Sequence, residues 1–334
     1  MNTIGSILRL TTFGESHGPA MGGVLDGMPA GVAIDMDELQ RFVDRRRPGQ
    51  AVGTSTRNEQ DRVEVLSGIW QGKTLGTPIG FVVRNSDARS ADYEEMARCY
   101  RPNHADFTWQ AKYGIRDHRG GGRASARETV ARVVAGGIAM QALKRLGVTI
   151  EAQVSQVGTC RSEAEMEQTI REAAKDGDTL GGIISCTIHG VPAGIGEPVF
   201  GKLHAQLASA MMSIPSVHGF EYGDGFDMAT RRGSEVMDVF ERRPDGSIRT
   251  ATNHSGGIQG GISNGEDIVM RIAFKPVPTL MREMPTVDLE GNPVRLQPRG
   301  RHDACVLPRA LPIVESMAAL VILDNYLIKK TNEL

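Results

Sequence analysis

Apolar positions recur at helical spacing in five stretches of the chain. The pattern is clearest after Ser125, where Ser125 and Glu128 have the spacing of a capping box and apolar residues then recur every three or four positions as far as Gly147. Asp35 and Glu38 repeat the capping spacing at the start of another stretch. These patterns predict helices over residues 36–46, 126–146, 163–176 and 200–212, and from Pro312 onward.

Four apolar runs that lie between turn residues are typical of β-strands, namely residues 80–84, 149–154, 182–189 and 268–274. Helices and strands are mixed without a regular βαβ alternation, so the pattern favours the α+β class. The chain shows no internal repeat and no linker rich in proline and serine. We therefore expect a single large domain over residues 1–334.

The composition narrows the classes of function. A charged share of 23% and a formal net charge of -2 argue against a general binder of nucleic acid or of a membrane surface. The late apolar run at 317–323 is too short to span a bilayer. Arg9 and Glu15 interrupt the early apolar stretch, so we expect no signal peptide.

The four cysteines lie far apart in the sequence and form no Cys-x-x-Cys pair. We therefore predict no zinc site, no other metal site and no redox pair. Free thiols in the reducing cytoplasm are the expected state. The four are Cys99, Cys160, Cys186 and Cys305.

Three separate segments each place an imidazole beside a carboxylate. They are residues 14–18, 101–106 and 301–303, and the last two also carry arginine. This is the set of side chains needed to hold a small molecule with several negative charges and to move protons around it.

Arginines also cluster around three consecutive glycines, Gly120 to Gly122, which lead into the predicted helix after Ser125. A glycine-rich turn before a capped helix start offers backbone N–H groups to an anion, and guanidinium groups add charged forks. The segment lacks the Gly-Lys-Ser/Thr ending of a Walker loop and the spacing of a dinucleotide fingerprint. It predicts a pocket for a polyanionic ligand. The arginines are Arg116, Arg119, Arg123 and Arg127.

Residues 14–18 also satisfy Gly-x-Ser-x-Gly, the nucleophile elbow of α/β-hydrolases, with Ser16 as nucleophile. That elbow requires a strand before the serine and a helix directly after it. Residues 8–13 suit a strand, but residues 19–24 form a poor helix. A serine hydrolase is therefore an alternative hypothesis. His17, an imidazole among glycines, is suited to titrate near neutral pH.

Three segments of the chain resemble signature segments of the chorismate synthase family. They are GESHG at 14–18 running into GMP at 27–29, GGRASARET at 121–129, and RHDAC at 301–305. Further matches are GVPAG at 190–194, GEP at 196–198, GDGF at 223–226, NHSGG at 253–257 and KPVPTL at 275–280. The resemblance spans nearly the whole chain and keeps the same order.

The resemblance implies a lyase of the shikimate pathway of aromatic biosynthesis. Such an enzyme removes phosphate by anti-1,4-elimination from 5-enolpyruvylshikimate 3-phosphate and forms chorismate. It needs reduced FMN, thought to lend electron density transiently, and NADPH serves only indirectly as reductant. The family also implies a β-α-β sandwich in each subunit of a homotetramer.

The resemblance assigns roles by position. His17 would protonate the departing phosphate, His104 would protonate or stabilise the reduced flavin, and Asp303 would act with the flavin to remove the C6 proton. His302 is expected to be structural. The positions that match flavin contacts are Arg123, Ala124, Ser125, Pro215, Ser216, Gly260, Lys275, Pro276, Val277, Pro278, Thr279 and Arg301. Those expected to bind substrate anions are Ser16, Arg47, Arg57, Arg101 and Arg127.

The chain departs from the family pattern at two positions. Asn103 stands where many relatives have glycine or serine, and Val52 stands where many have a second basic residue assigned to NADPH or substrate. Arg57 is a candidate to replace that basic residue. Without the long insertions of bifunctional members, the chain is expected to be monofunctional and to receive reduced flavin from elsewhere. A non-catalytic phosphate- or flavin-binding protein is a third hypothesis.

Overall fold

A computed structural model of the chain describes residues 1–49, 52–54, 59–87, 95–298 and 303–333. Within these ranges the α-helices are α1 (Met36–Asp44), α2 (Asp106–Tyr113), α3 (Thr129–Lys144), α4 (Glu163–Lys175), α5 (Leu203–Met212) and α6 (Leu307–Thr331). The strands are β1 (Thr3–Ile4), β2 (Arg9–Gly14), β3 (Ala20–Asp26), β4 (Val63–Val65), β5 (Ile69–Trp70), β6 (Lys73–Thr74), β7 (Ile79–Arg84), β8 (Thr149–Val157), β9 (Gly182–His189), β10 (Val217–Tyr222), β11 (Phe240–Arg242), β12 (Ile248–Thr250), β13 (Ile258–Gln259), β14 (Ile262–Ser263), β15 (Ile268–Phe274), β16 (Met284–Val287) and β17 (Pro293–Leu296).

The strands form two main sheets, both antiparallel. One has five strands in the order β1-β2-β3-β7-β4, and the other has four in the order β10-β15-β9-β8. The pairing of β9 with β15 runs from Gly182 opposite Phe274 to Ile188 opposite Ile268 without a register shift. The remaining strands form the small hairpins β5-β6, β11-β12, β13-β14 and β16-β17.

Two helices separate these sheets. Helix α3 packs against β2, β3 and β7, and α6 packs against β8 and β9. The two helices also pack extensively against each other. Helix α3 is apolar around nearly its whole circumference, as expected for a helix enclosed between two layers. The architecture is a β-α-β sandwich, which confirms the predicted α+β class.

The lack of a side chain at Gly136 allows α3 and α6 to approach each other closely. A Cβ atom at Gly136 would lie 2.1 Å from Cβ and 2.4 Å from Cα of Ser316. Ser316 donates its hydroxyl hydrogen to the carbonyl of Pro312 at 2.6 Å, within its own helix. The crossing therefore depends on glycine at residue 136.

The predicted helices are confirmed, but several of their boundaries differ from the prediction. Helix α6 begins at Leu307 rather than at Pro312, and the proline in its first turn is Pro308. Helix α5 begins at Leu203, three residues later than predicted, and α2 was not predicted at all. The predicted strands are confirmed, and those at 182–189 and 268–274 have the predicted bounds.

Helix α6 is long and apolar enough to cross a membrane by length and composition alone. However, 78% of its most apolar 18-residue stretch is buried within the protein, as in the core helix of a globular fold. The four cysteines are free, and three of them are buried. Burial raises the pKa of Cys305 to about 11, so that thiol stays protonated at neutral pH.

Candidate active site

A cavity of about 480 Å³ lies where six segments of the chain meet. They are the segments after α1 and after β15, the segments that lead into α2, β10 and α6, and the glycine-rich turn. The predicted site residues that line it are His104, Asp303, Arg101, Arg127, Ala124, Ser125, Pro215, Ser216, Lys275, Val277, Pro278 and Thr279. Residues predicted from distant parts of the sequence are therefore brought to one place.

The segment before α2 supplies His104. Nδ1 of His104 lies 3.1 Å from Oδ1 of Asp106, and Arg101 donates to both oxygens of that carboxylate, through Nε at 2.7 Å and Nη2 at 2.8 Å. Burial is the largest influence on the His104 pKa and, with Arg101 and Lys275, outweighs Asp106, so the pKa lies below its ordinary value. His104 is therefore neutral at neutral pH.

The glycine-rich turn separates two histidines. Gly120, Gly121 and Gly122 have φ angles of 61°, 82° and 54°, a conformation that side chains rarely adopt. A Cβ at Gly120 would lie 2.3 Å from Cε1 and Nδ1 of His17, and one at Gly121 would lie 2.9 Å from Cε1 of His104. The absence of side chains in the turn lets both imidazoles approach its backbone.

After the turn, Ser125 begins the helical segment that continues into α3. Its hydroxyl accepts a hydrogen bond from the backbone N–H of Arg127 at 3.3 Å, which confirms Ser125 as the N-cap, whereas Glu128 pairs with Arg132 instead of completing the capping box. Ser125, Ala126 and Arg127 line the cavity. The helix start thus lies at the cavity wall.

Beneath this wall lies a buried charge cluster centred on Asp61. Nη1 of Arg46 donates to Oδ2 of Asp61 at 3.0 Å, and Nη1 of Arg127 donates to Oδ1. Burial raises the Asp61 pKa, but the two guanidinium groups outweigh burial and hold it below its ordinary value. Burial lowers the pKa of Arg46 to about 10, so that group remains charged at neutral pH.

Asp303 lies just before α6. Nη1 of Arg309 donates to Oδ2 of Asp303 at 2.5 Å, and Nε of Arg309 donates to the carbonyl of Arg46 at 3.1 Å. Arg309 therefore links the predicted base to the end of α1. Both Asp303 and Arg309 line the cavity.

Other predicted residues do not line this cavity, among them His17, Ser16, Arg47, Gly260 and Pro276. Ser16 is buried, and its hydroxyl lies 3.2 Å from Nδ1 of His17 next to the glycine-rich turn. Arg47 donates through Nε to the carbonyl of Glu59 at 2.8 Å. Gly260 lies in the tight β13-β14 hairpin. Arg57, Arg301 and His302 lie outside the described residues.

Arg123 turns away from the cavity. Its Nη2 donates to the Thr12 hydroxyl at 2.7 Å, and its Nη1 donates to the carbonyl of Gly14 at 3.3 Å. Its side chain lines a neighbouring cavity of about 520 Å³, on which the glycine-rich turn also borders. We assign the candidate site to the smaller cavity because His104, Asp303, Arg101 and Arg127 converge there.

Sequence reasoning missed Arg46, Glu59 and Arg309, which line the cavity, and Asp61, which lies beneath its wall. Arg46 could have been found, because Leu39, Val43 and Arg46 follow the spacing of one helix face and the first two are buried. Asp61 lies in a polar loop without periodicity, so its local sequence carries no comparable signal.

The two departures from the family pattern have a structural basis. Asn103 has a φ of 60°, a conformation that glycine adopts freely and that asparagine tolerates. Val52 packs against the apolar core, and the following residue, Gly53, accepts a hydrogen bond from the N–H of Ala304 at 2.7 Å. Val52 therefore supports the backbone next to Asp303.

The surroundings of Ser16 do not match a nucleophile elbow. The serine follows β2, but the chain continues directly into β3, which pairs antiparallel with β2 over residues 9–14. An elbow would require a helix at this point. This arrangement disfavours the hydrolase hypothesis.

Comparisons with known proteins agree with the motifs. The family model described as chorismate synthase matches residues 8–327. The chain belongs to the chorismate synthase family. It is 55% identical to the chorismate synthase of Parabacteroides distasonis and 53% identical to that of Phocaeicola vulgatus, in both cases over 100% of this chain and 99% of the relative.

A solved structure supports the fold. The crystal structure of a chorismate synthase matches with a TM-score of 0.77 and 29% sequence identity, and the match covers 98% of this chain and 93% of the other. Chorismate synthases are lyases, and the family membership makes this chain an enzyme of that class.

Proposed function

We propose that this chain converts 5-enolpyruvylshikimate 3-phosphate to chorismate by anti-1,4-elimination of phosphate, with reduced FMN as cofactor. The observation that carries the proposal is the convergence of His104, Asp303, Arg101 and Arg127 on one cavity. The substrate carries two carboxylates and a phosphate, so arginine forks around a cavity suit its charges.

The residues present fit a flavin mononucleotide. The cavity volume of about 480 Å³ lies within the usual range for ligand pockets, roughly 300–1,000 Å³. One part of its wall is uncharged and partly apolar, with Pro215, Val277 and Pro278, while Lys275 and the helix start at Ser125 offer an ammonium group and backbone N–H groups to an anion. When bound, reduced FMN supplies electron density that the elimination needs transiently.

The chain's own residues would move the protons. Asp303 would accept the proton lost from C6, and the hydrogen bond from Arg309 at 2.5 Å holds this carboxylate in place. His17 would donate a proton to the departing phosphate, and the glycine-rich turn supports its orientation. His104, neutral at rest, would protonate or stabilise the reduced flavin.

Three further aspects belong to the same proposal. We expect one chorismate synthase domain over residues 1–334, a homotetramer and a cytoplasmic location. The enzyme would be monofunctional, because the chain lacks the long insertions of bifunctional members, and NADPH would act only indirectly, through a flavin reductase that supplies reduced FMN.

An anaerobic assay of phosphate release tests the proposal. Purified full-length protein, the shikimate ester and photoreduced FMN should release phosphate and form chorismate, whereas oxidised FMN or no FMN should give none. Absence of release with photoreduced FMN would contradict the lyase. If Ser16 reacted with a fluorophosphonate while no release occurred, the hydrolase hypothesis would replace it.

A further inference from the structure

The carboxylate of Asp106 contacts both Arg101, which is proposed to bind substrate, and His104, which is proposed to act on the reduced flavin. Oδ1 accepts from Nη2 of Arg101 at 2.8 Å and lies 3.1 Å from Nδ1 of His104. Oδ2 accepts from Nε of Arg101 at 2.7 Å and from its backbone N–H at 3.1 Å. Asp106 and Arg101 are both buried, and Arg101 and His104 line the cavity.

An ionised carboxylate can only accept hydrogen bonds. The pKa of Asp106 lies well below its ordinary value, because hydrogen bonds from Arg101 and His104 outweigh the opposing effect of burial. The proton shared between His104 and Asp106 must therefore reside on Nδ1 of the imidazole. In a neutral imidazole this leaves Nε2 without a proton.

The surroundings hold the ring in this orientation. Gly121 packs against its edge, where a Cβ would come within 2.9 Å of Cε1 and 3.3 Å of Nε2. The charged groups that act on the imidazole are Arg101 and Asp106 on its own segment and Lys275 after β15. Lys275 donates to the carbonyl of Asn103 at 2.8 Å, so it connects the segment after β15 to the segment that carries His104.

We propose that Asp106 is the positioning residue of the site. It fixes His104 as the tautomer with the proton on Nδ1 and orients Arg101 with the same carboxylate. The unprotonated Nε2 can only accept a hydrogen bond, so of the two tasks proposed for His104 this tautomer favours stabilising the reduced flavin over protonating it. The inference rests on the proposed function for the identity of the ligand, but the tautomer itself is a property of the protein alone.

The first test measures the tautomer. Full-length protein labelled with ¹⁵N-histidine is studied by NMR at a pH where the imidazole is neutral, and the His104→Gln variant identifies the signals. We expect the proton of His104 on Nδ1. A proton on Nε2 would overturn the proposal, whether or not the protein has lyase activity.

The second test uses Asp106→Asn, which keeps the size of the side chain. Its amide N–H₂ group is a donor, so it would face the donors of Arg101 or His104 without accepting from them. We expect His104 to lose its single tautomer and the turnover number to fall about 10- to 100-fold, the scale seen when a residue that orients a histidine is removed. Because Arg101 is released as well, KM for the shikimate ester should rise, and the pH profile should shift.

Asp117→Asn is the matched control. Asp117 also holds an arginine by a fork, accepting from Nε of Arg119 at 2.9 Å and Nη2 at 3.0 Å. It should leave the tautomer of His104 unchanged. A wild-type tautomer and pH profile in folded Asp106→Asn would overturn the proposal, and if that variant did not fold, the wild-type tautomer would decide alone.

Discussion

The imidazole of His17 lies against Gly120, where a single methyl group would come within 2.3 Å of two ring atoms. The glycine has a φ of 61°, so an alanine there would carry backbone strain of about 1–2 kcal/mol and also displace the ring. A displacement of about 1 Å can lower the rate of a positioned proton transfer by roughly 10²-fold. We expect Gly120→Ala to lower phosphate release by about that factor, measured with photoreduced FMN.

Gly114→Ala separates the two effects. Gly114 has a φ of 72°, and a Cβ there would meet no described atom within 4 Å. This control carries comparable strain without contacting a histidine. If both variants lost the same activity at equal thermal stability, the contact between Gly120 and His17 would have no catalytic importance.

Asp61 is expected to dominate the stability of the site. Asp61→Asn would leave Arg46 and Arg127 buried without their shared carboxylate, and breaking a buried ion pair costs about 3–5 kcal/mol. Asparagine also tolerates the φ of 48° at this position. Urea unfolding at neutral pH should report the loss, and Glu64→Gln, which breaks the exposed pair with Arg84, should cost no more than about 1 kcal/mol.

The same carboxylate gives a pH dependence with a defined sign. The folded-state pKa of Asp61 lies below its ordinary value, so its contribution is fully present above the unfolded-state pKa of about 4 and is lost as the pH falls through the folded-state pKa. Wild type should therefore lose stability more steeply than Asp61→Asn on acidification below about pH 4. Parallel curves would contradict the assigned role of Asp61.

Local sequence signals predicted much of the fold and failed at identifiable places. Strands β9 and β15 appeared as predicted because turn residues bound each apolar run. The start of α6 was misplaced because Pro308 and Pro312 are both suited to a first turn, and only packing selects the earlier one. Helix α2 was missed because its apolar residues do not form a continuous stripe.

The residues of the candidate site that lie in recognisable sequence motifs could be predicted from the sequence. His104 and Asp303 were found because each lies in a recognisable segment, and the structure brings both to the cavity. Among three consecutive arginines after α1, the family resemblance pointed to Arg47, although Arg46 continues the buried helix face. The link from Arg309 to Asp303 depends on the tertiary arrangement of the α6 start, which no local pattern specifies.

The crossing of α3 and α6 offers a test of the sandwich within one helix. Gly136→Ala would bring a methyl group against the Ser316 backbone, whereas Gly137→Ala would meet only the side-chain ends of Leu39 and Phe42. Overpacking a core costs about 1–3 kcal/mol, and we expect Gly136→Ala at the upper end and Gly137→Ala at the lower end. Thermal melting checks the order, and a larger loss for Gly137→Ala would contradict the packing described.

Replacing Arg123 tests whether its guanidinium group contacts the flavin directly or only anchors the glycine-rich turn. Arg123 donates to the Thr12 hydroxyl at 2.7 Å, so removing the side chain releases the turn from β2. A hydrogen bond from a charged group contributes about 1.5–3 kcal/mol, so Arg123→Ala should weaken FMN binding by about 10- to 100-fold in a fluorescence titration. Thr12→Val, of nearly equal volume, should weaken it in the same direction by a smaller factor because one of the anchoring bonds is lost. Unchanged affinity in Thr12→Val together with a loss in Arg123→Ala would instead assign the guanidinium to a direct contact with the flavin phosphate.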